Sequence, residues 1–179
     1  MKKIFLYTIF FTGALQAFAL PPNVTLSNDV DMSFGTAEAG GLAGGTLSLG
    51  TDGSVTYTGD VTGDGVGIAG QTRANPLNGA TTAEVSCSTG ATLCDASSNS
   101  LAVTGIEVST GNGRGVYGTG TACNGVGNAI GNITLNGTLN QRSLFFGGML
   151  TVPAATALDG GYGTNITCGT GVTIDVVVP

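Results

Sequence analysis

Glycine limits the fold of this chain more than any other residue does, because 32 of its 179 positions are Gly. In a helix each Gly costs about 1 kcal/mol relative to Ala, and Thr is stiff at χ1. The segment after position 19 also contains 24 Thr residues. Both residue types suit short strands joined by turns. The composition therefore predicts a chain without long helices.

Alternating apolar and polar residues predict strands at both ends of the chain. In residues 24–34 one side of the alternation is apolar, and residues 172–178 repeat the pattern. A hairpin is predicted around Asp52-Gly53, a pair that favours a two-residue type I′ turn, and residues 59–82 are predicted to form a loop. Further candidate strands are 46–49, 54–58, 83–88, 101–109, 115–119, 132–139, 144–152 and 165–168. Turn signals about every ten residues predict an all-β antiparallel sandwich or barrel of short strands.

The first nineteen residues have the pattern of a secretory signal peptide. Lys2 and Lys3 precede a mostly apolar run, and Ala17-Phe18-Ala19 is a small-x-small cleavage signature. We expect cleavage before Leu20, leaving residues 20–179 as a single domain without a membrane span. That mature chain has three Arg, no Lys and eleven acidic residues, a formal charge of −8. So acidic a chain is a poor candidate for binding nucleic acid, since phosphate contacts need Lys and Arg.

The four cysteines predict two disulfides in an exported chain. Cys87, Cys94, Cys123 and Cys168 form an even set, and four cysteines allow three pairings. We favour Cys87–Cys94, which closes a short loop, together with Cys123–Cys168. Zinc is disfavoured because the chain has no His and no Cys-x-x-Cys spacing.

The absence of His also removes most catalytic machinery. No Ser-His-Asp or Cys-His arrangement is available, and no His can hold a metal. We expect no catalytic residue, no cofactor and no metal ligand. Two Gly-x-Gly-x-x-Gly matches, at 65–70 and 113–118, lack the following helix that a dinucleotide site needs. The run from Asp60 to Gly65 resembles half of a calcium loop, but Gln71 stands where the loop needs a bidentate acid.

Short motifs near both ends resemble the DUF4402 family of bacterial exported proteins. They are Val30-Asp-Met-Ser-Phe-Gly35, Gly44-Gly-Thr-Leu-Ser-Leu49, Asp52-Gly-Ser-Val-Thr56, Phe146-Gly-Gly-Met-Leu-Thr-Val-Pro153 and Gly160-Gly-Tyr162-Gly. The family is similar in pattern to spore-coat-U-like proteins and to chaperone–usher pilin subunits. The resemblance implies an immunoglobulin-like sandwich and a role in surface fibres or adhesion. Residues 84–131 and the Val-Val-Val-Pro ending depart from the family pattern.

Three classes of function remain open on the sequence. The favoured one is a pilus-like structural filament subunit that polymerises with itself by β-strand addition, with a periplasmic assembly chaperone as a further partner. The others are a monomeric secreted or surface adhesion module and a secreted hydrolase. If the chain polymerises, we expect residues 24–34 to be the assembly strand, unless they are an internal strand of their own domain or residues 172–178 are donated instead. The side chains expected to fill pockets are Val24, Leu26, Val30, Met32 and Phe34.

Overall fold

The structure, a computed structural model, describes residues 2–6, 24–40, 43–76, 81–109, 119–135, 142–154, 160–164 and 168–178. These residues contain fifteen strands and no helix. The strands are β1 (Lys2–Leu6), β2 (Val24–Val30), β3 (Thr36–Ala39), β4 (Gly45–Leu49), β5 (Val55–Gly59), β6 (Val61–Gly63), β7 (Gly70–Pro76), β8 (Thr81–Cys87), β9 (Gly90–Cys94), β10 (Ser100–Ser109), β11 (Thr121–Ala122), β12 (Gly131–Leu135), β13 (Arg142–Val152), β14 (Gly160–Tyr162) and β15 (Ile174–Val177). The predicted all-β class is confirmed.

The strands form three sheets that pack together in a sandwich-like arrangement. The largest sheet has the order β11-β10-β13-β4-β5, with β7 also pairing β13, β2 pairing β7 and β9 pairing β10. The second sheet has the order β14-β1-β3-β6, and the third has the order β12-β8-β15. All pairings are antiparallel except the one between β1 and β14, which is parallel.

Strand β13 is the centre of the largest sheet because it pairs with β10, β4 and β7. Its residues 143–148 are all buried, which explains why this segment is more apolar than the other candidate strands. At Gly147 an added Cβ would collide with the backbone carbonyl of Leu49 on β4, so only Gly fits there. The close approach of β4 to β13 therefore depends on this Gly.

The core is mainly aliphatic. Three aromatic side chains are nevertheless among its largest fully buried members, Tyr162, Phe34 and Phe146. They pack in one cluster with the aliphatic residues of all three sheets. Burying a large side chain contributes roughly 1.5–3 kcal/mol whether it is aliphatic or aromatic, so the more numerous aliphatic residues supply most of the core energy.

The predicted hairpin is present, but its turn is longer than the sequence suggested. Strands β4 and β5 pair in register up to Leu49 opposite Val55, so the five residues 50–54 connect them. Gly53 has a φ of 81°, and the Asp52 carboxylate accepts a hydrogen bond from the Ser54 N–H at 2.9 Å. The two-residue type I′ turn was therefore wrong, although the strand pairing was right.

The predicted loop at residues 59–82 was also wrong, because it contains β6, β7 and the start of β8. Strand β7 was missed because its buried positions are filled by small or polar residues, among them Gly70, Thr72 and Ala74. Such residues give no apolar alternation in the sequence. The strand is nevertheless hydrogen-bonded on both edges, to β13 and to β2. Of the remaining candidate strands, residues 115–118, 136–139 and 165–167 lie outside the described part of the chain.

All four cysteines form disulfides, but in a different pairing from the favoured one. The bonds are Cys87–Cys123 and Cys94–Cys168, so the Cys87–Cys94 and Cys123–Cys168 pairing was wrong. Cys87 ends β8 in the third sheet, whereas Cys94 ends β9 in the largest sheet. The chain changes sheets between the two strands, and β9 then carries Cys94 away from Cys87. Two disulfides indicate an oxidising compartment outside the cytoplasm.

Candidate functional site: edge strand β2 and the strand position of β1

Strand β2 lies at an edge of the largest sheet, next to the predicted amino terminus of the mature chain. It pairs with β7 from Val24 opposite Pro76 onward, and no second strand pairs with it among the described residues. The register shifts between Asn28 and Val30. This irregularity interrupts the two-residue alternation that the sequence predicts for residues 24–34.

The five predicted pocket-filling side chains fall into two groups by their exposure. Val24, Met32 and Phe34 are buried at 8%, 0% and 1% exposure, respectively. Leu26 and Val30 are exposed at 40% and 36%. In its own domain the segment therefore does not bury its whole apolar side, as one continuous strand would. The expectation that residues 24–34 form a single long strand was wrong, since β2 ends at Val30.

Strand β1 comes from the segment predicted to be a signal peptide, and it lies between β3 and β14. It is antiparallel to β3, with Ile4 opposite Ala37 and Lys2 opposite Ala39. It is parallel to β14, with Ile4 opposite Gly160 and Leu6 opposite Tyr162. The second sheet therefore has a two-sided strand position that residues 2–6 fill. The sequence pattern of residues 2–6 predicts only a leader peptide and gives no sign of this strand position.

The strands on both sides of β1 contribute buried residues to the core. Ala37 and Ala39 of β3 are 0% and 2% exposed, and Tyr162 of β14 is 0% exposed. On its far side β3 pairs with β6, with Ala37 opposite Gly63. The sheet is thus continuous from β6 to β14 only while a strand lies in the position of β1.

Strand β14 is held in place by the segment around the Cys94–Cys168 disulfide. Gly163 and Cys94 exchange two backbone hydrogen bonds of 2.8 Å, which tie the end of β14 to β9. The adjacent Asp95 carboxylate organises the loop after β9, since it accepts hydrogen bonds from the Asn99 side chain and backbone and from the Ser97 N–H at 2.7–2.9 Å. The backbone hydrogen bonds between Gly163 and Cys94 therefore hold β14, one of the two neighbours of β1, against β9.

Hydrogen bonds to the charged form lower the pKa of Asp95. The Asn99 side chain contributes most, followed by the backbone N–H groups of Asn99 and Ser97 and the Tyr162 hydroxyl. A lowered native pKa means that the carboxylate stabilises the fold above its unfolded pKa of about 3.9. That stabilisation is lost as the pH falls from there through the lowered native pKa.

We therefore expect Asp95→Asn to be less stable than the wild type at pH 7 and the difference to shrink below about pH 4. The pKa values of Asp52 and Asp64 are also lowered, so the wild type itself loses stability in acid. The measurement is therefore the difference between the two proteins in guanidinium unfolding, taken at pH 7 and in steps down to about pH 2. A difference that stays constant over this range would show that the Asp95 charge is not the cause.

The run from Asp60 to Gly65 does not have the shape of a calcium loop. Asp60 and Asp64 lie at opposite ends of the extended strand β6, so the chain between them does not wrap around an ion. The Asp64 carboxylate instead accepts hydrogen bonds from the N–H groups of Val66 at 3.0 Å and Thr36 at 3.2 Å. The Val66 bond is the main cause of the lowered pKa of Asp64. Asp64 thus anchors the start of β3 to the turn after β6.

The other candidate motifs also have structural explanations where they are described. Residues 65–70 connect strand β6 to strand β7, so this Gly-x-Gly-x-x-Gly has no helix after it and is not a dinucleotide site. The second match, at 113–118, lies outside the described residues. Within the described ranges, no three His, Cys, Asp or Glu side chains are grouped closely enough to hold a metal ion. The same ranges contain no helix with the length and apolar character needed to cross a membrane.

Comparison with known proteins gives no match. No protein-family model, no curated protein and no solved structure is similar to this chain at a significant level. The candidate site therefore rests on the geometry of β1, β2, β3 and β14.

Proposed function

We propose that the mature chain is a structural subunit of a pilus-like filament outside the cell, and that it polymerises with itself by β-strand addition. The observation that carries this proposal is strand β2. It is an edge strand of seven residues that leaves Leu26 and Val30 exposed while pairing with β7 alone among the described strands. An edge of this kind presents unpaired N–H and C=O groups that can form a ladder with another chain.

Strand addition accounts both for the unpaired edge of β2 and for its exposed apolar side chains. Main-chain hydrogen bonds to a neighbouring sheet supply affinity, and alternate side chains filling pockets supply specificity. Exposed apolar side chains such as Leu26 have more surface to bury in such a contact, at roughly 25 cal/mol per Å². Asp29 on this edge forms an ion pair with Arg73 of β7 at 2.6 Å, and surface pairs of this type contribute little.

The chemistry of the chain suits an assembly that lasts outside the cell. Two disulfides join segments that are 36 and 74 residues apart in sequence, and the mature chain has no Lys and no His. The resemblance to DUF4402 proteins and pilin subunits supports the same proposal and adds a periplasmic chaperone that would protect the edge before assembly. Location at the cell surface or in the medium is part of this proposal.

The test is electron microscopy and light scattering of purified residues 20–179 at increasing concentration. We expect filaments whose amount rises with protein concentration, since polymerisation is driven by mass action. A monodisperse monomer at all concentrations would contradict the filament proposal and would favour a secreted binding or adhesion module.

A further inference from the structure

We propose that this protein is a substrate of a disulfide isomerase, a dithiol enzyme, while it folds outside the cytoplasm. Its four cysteines bond in an interleaved order, the first with the third and the second with the fourth: Cys87 with Cys123, and Cys94 with Cys168. No cysteine is therefore bonded to its neighbour in the sequence. The inference depends on export by the predicted leader and on the two disulfides, but not on polymerisation.

The order in which the cysteines become available favours a bond that the folded protein lacks. A chain exported from its amino terminus presents Cys87 and Cys94 first, and they are only seven positions apart. The native partner of Cys94 is residue 168 of 179, so it is exported almost last. Because closing a short loop costs less entropy than closing a long one, an oxidase joins Cys87 to Cys94 first.

Cys87 lies on a strand that cannot form its sheet early. It ends β8, whose two ladder partners in the third sheet are β12 and β15. Both partners follow Cys94 in the sequence. Strand β9 can pair with β10 sooner, but an isolated two-stranded hairpin is at best marginally stable in water. The third sheet therefore directs the pairing of Cys87 only after most of the chain has been exported.

A bond between Cys87 and Cys94 is incompatible with the folded protein. The chain around them runs alongside the carboxy-terminal segment, since Cys87 lies opposite Ile174 and Thr92 lies opposite Thr170. Thr92 and Thr170 exchange two backbone hydrogen bonds of 3.0 and 2.9 Å. A disulfide holds two Cα atoms within about 7 Å, so joining Cys87 to Cys94 would close the residues between them into a small loop. Strand β9 could not then extend along this segment, and the mispaired chain must be reopened before it folds.

Thiol–disulfide exchange with the isomerase reopens this bond without a net redox change. The isomerase thiolate attacks the Sγ of Cys87, a mixed disulfide forms, and Cys94 leaves as a thiolate that takes a proton from water. The Cys123 thiolate then attacks the Sγ of Cys87 and releases the isomerase thiolate. Finally a disulfide of the oxidase accepts the two thiol hydrogens of Cys94 and Cys168, which become bonded while the oxidase becomes a dithiol. Direct attack by Cys123 on the first bond is slow, because an ordinary Cys thiol is mostly protonated at neutral pH.

The two native bonds differ in how well an enzyme reaches them in the folded protein. Cys168 is exposed, so its Sγ is open to a thiol or to an oxidase after the core has closed. Cys87 is completely buried, and Cys123 is partly buried and packs against the core. The Cys123 N–H also donates a hydrogen bond to the Ile106 carbonyl at 2.8 Å. The Cys87–Cys123 bond must therefore form before the core closes, and Cys94–Cys168 can form last.

Oxidative refolding tests the inference on the exported protein after reduction in guanidinium. The oxidase is added alone or with a dithiol isomerase, free thiols are trapped with iodoacetamide at successive times, and the bonds are mapped by mass spectrometry without reduction. With the oxidase alone we expect the Cys87–Cys94 bond to accumulate first and Cys94–Cys168 to form last. The isomerase should raise the rate at which both native bonds appear roughly tenfold or more, because reshuffling is slow without a catalyst.

The double variant Cys94→Ala and Cys168→Ala is the matched control. Its two remaining cysteines, Cys87 and Cys123, have only one possible bond, so no mispaired form has to be reopened. Mass spectrometry detects that bond whether or not the variant folds stably. The isomerase should therefore leave the rate of its formation unchanged.

Two results would overturn the inference. One is formation of both native bonds at the same rate with and without the isomerase, with no Cys87–Cys94 form trapped. The other is an equal acceleration of the wild type and the control, because the effect would then not come from the interleaved pairing. Either result leaves the filament proposal standing, whereas a wild type that requires the isomerase but never polymerises would overturn the filament proposal alone.

Discussion

Replacing both Cys94 and Cys168 by Ala is expected to lower the free energy of unfolding by about 4 kcal/mol. The bond joins residues 74 positions apart, and in the chain-entropy model a loop of that length restricts the unfolded chain by about this amount. Domains of this kind are stable by only about 5–15 kcal/mol in total. The variant should therefore be close to its unfolding threshold at physiological temperature.

Removal of the other disulfide provides the comparison. Cys87 and Cys123 are 36 positions apart, about half the separation of the first pair. Halving a loop reduces the entropic effect by only about 0.6 kcal/mol, so the Cys87→Ala and Cys123→Ala double variant should lose nearly as much stability. Guanidinium unfolding of both double variants measures the two losses under identical conditions. A loss below about 1 kcal/mol for the longer loop would contradict this explanation.

The elements that the sequence predicts correctly are those with a local pattern. Strand β13 is predicted from a mostly apolar run. The β4–β5 hairpin is predicted from Asp52-Gly53, which stands between two alternating segments. In each case side chains close together in sequence decide the structure. The all-β class follows from the same local preferences summed over the whole chain.

What could not be predicted depends on which sheet each strand joins. The disulfide pairing follows from β8 and β9 entering different sheets, and no spacing of cysteines contains that information. Strand β14 is too short and too rich in Gly to show alternation. The place of β1 was hidden because a charged start followed by an apolar run describes a leader peptide and a strand equally well. The strand position between β3 and β14 therefore emerged only when the strands were placed together.

Charge on the exposed face of β2 tests the strand-addition account most directly. Leu26 and Val30 are 40% and 36% exposed, so replacing both by Asp should change the unfolding of the dilute chain little. A charged edge strand opposes pairing with a second chain, because pairing would bury these side chains. Val126→Asp, at a 49% exposed apolar position outside β2, is the matched control.

The measurement is sedimentation and electron microscopy of the mature wild type, the Leu26→Asp and Val30→Asp double variant and the Val126→Asp control at the same concentration. We predict filaments from the wild type and from the control, and a loss of filament mass of roughly tenfold or more for the double variant. Filaments from the double variant in the same amount as from the wild type would contradict the account.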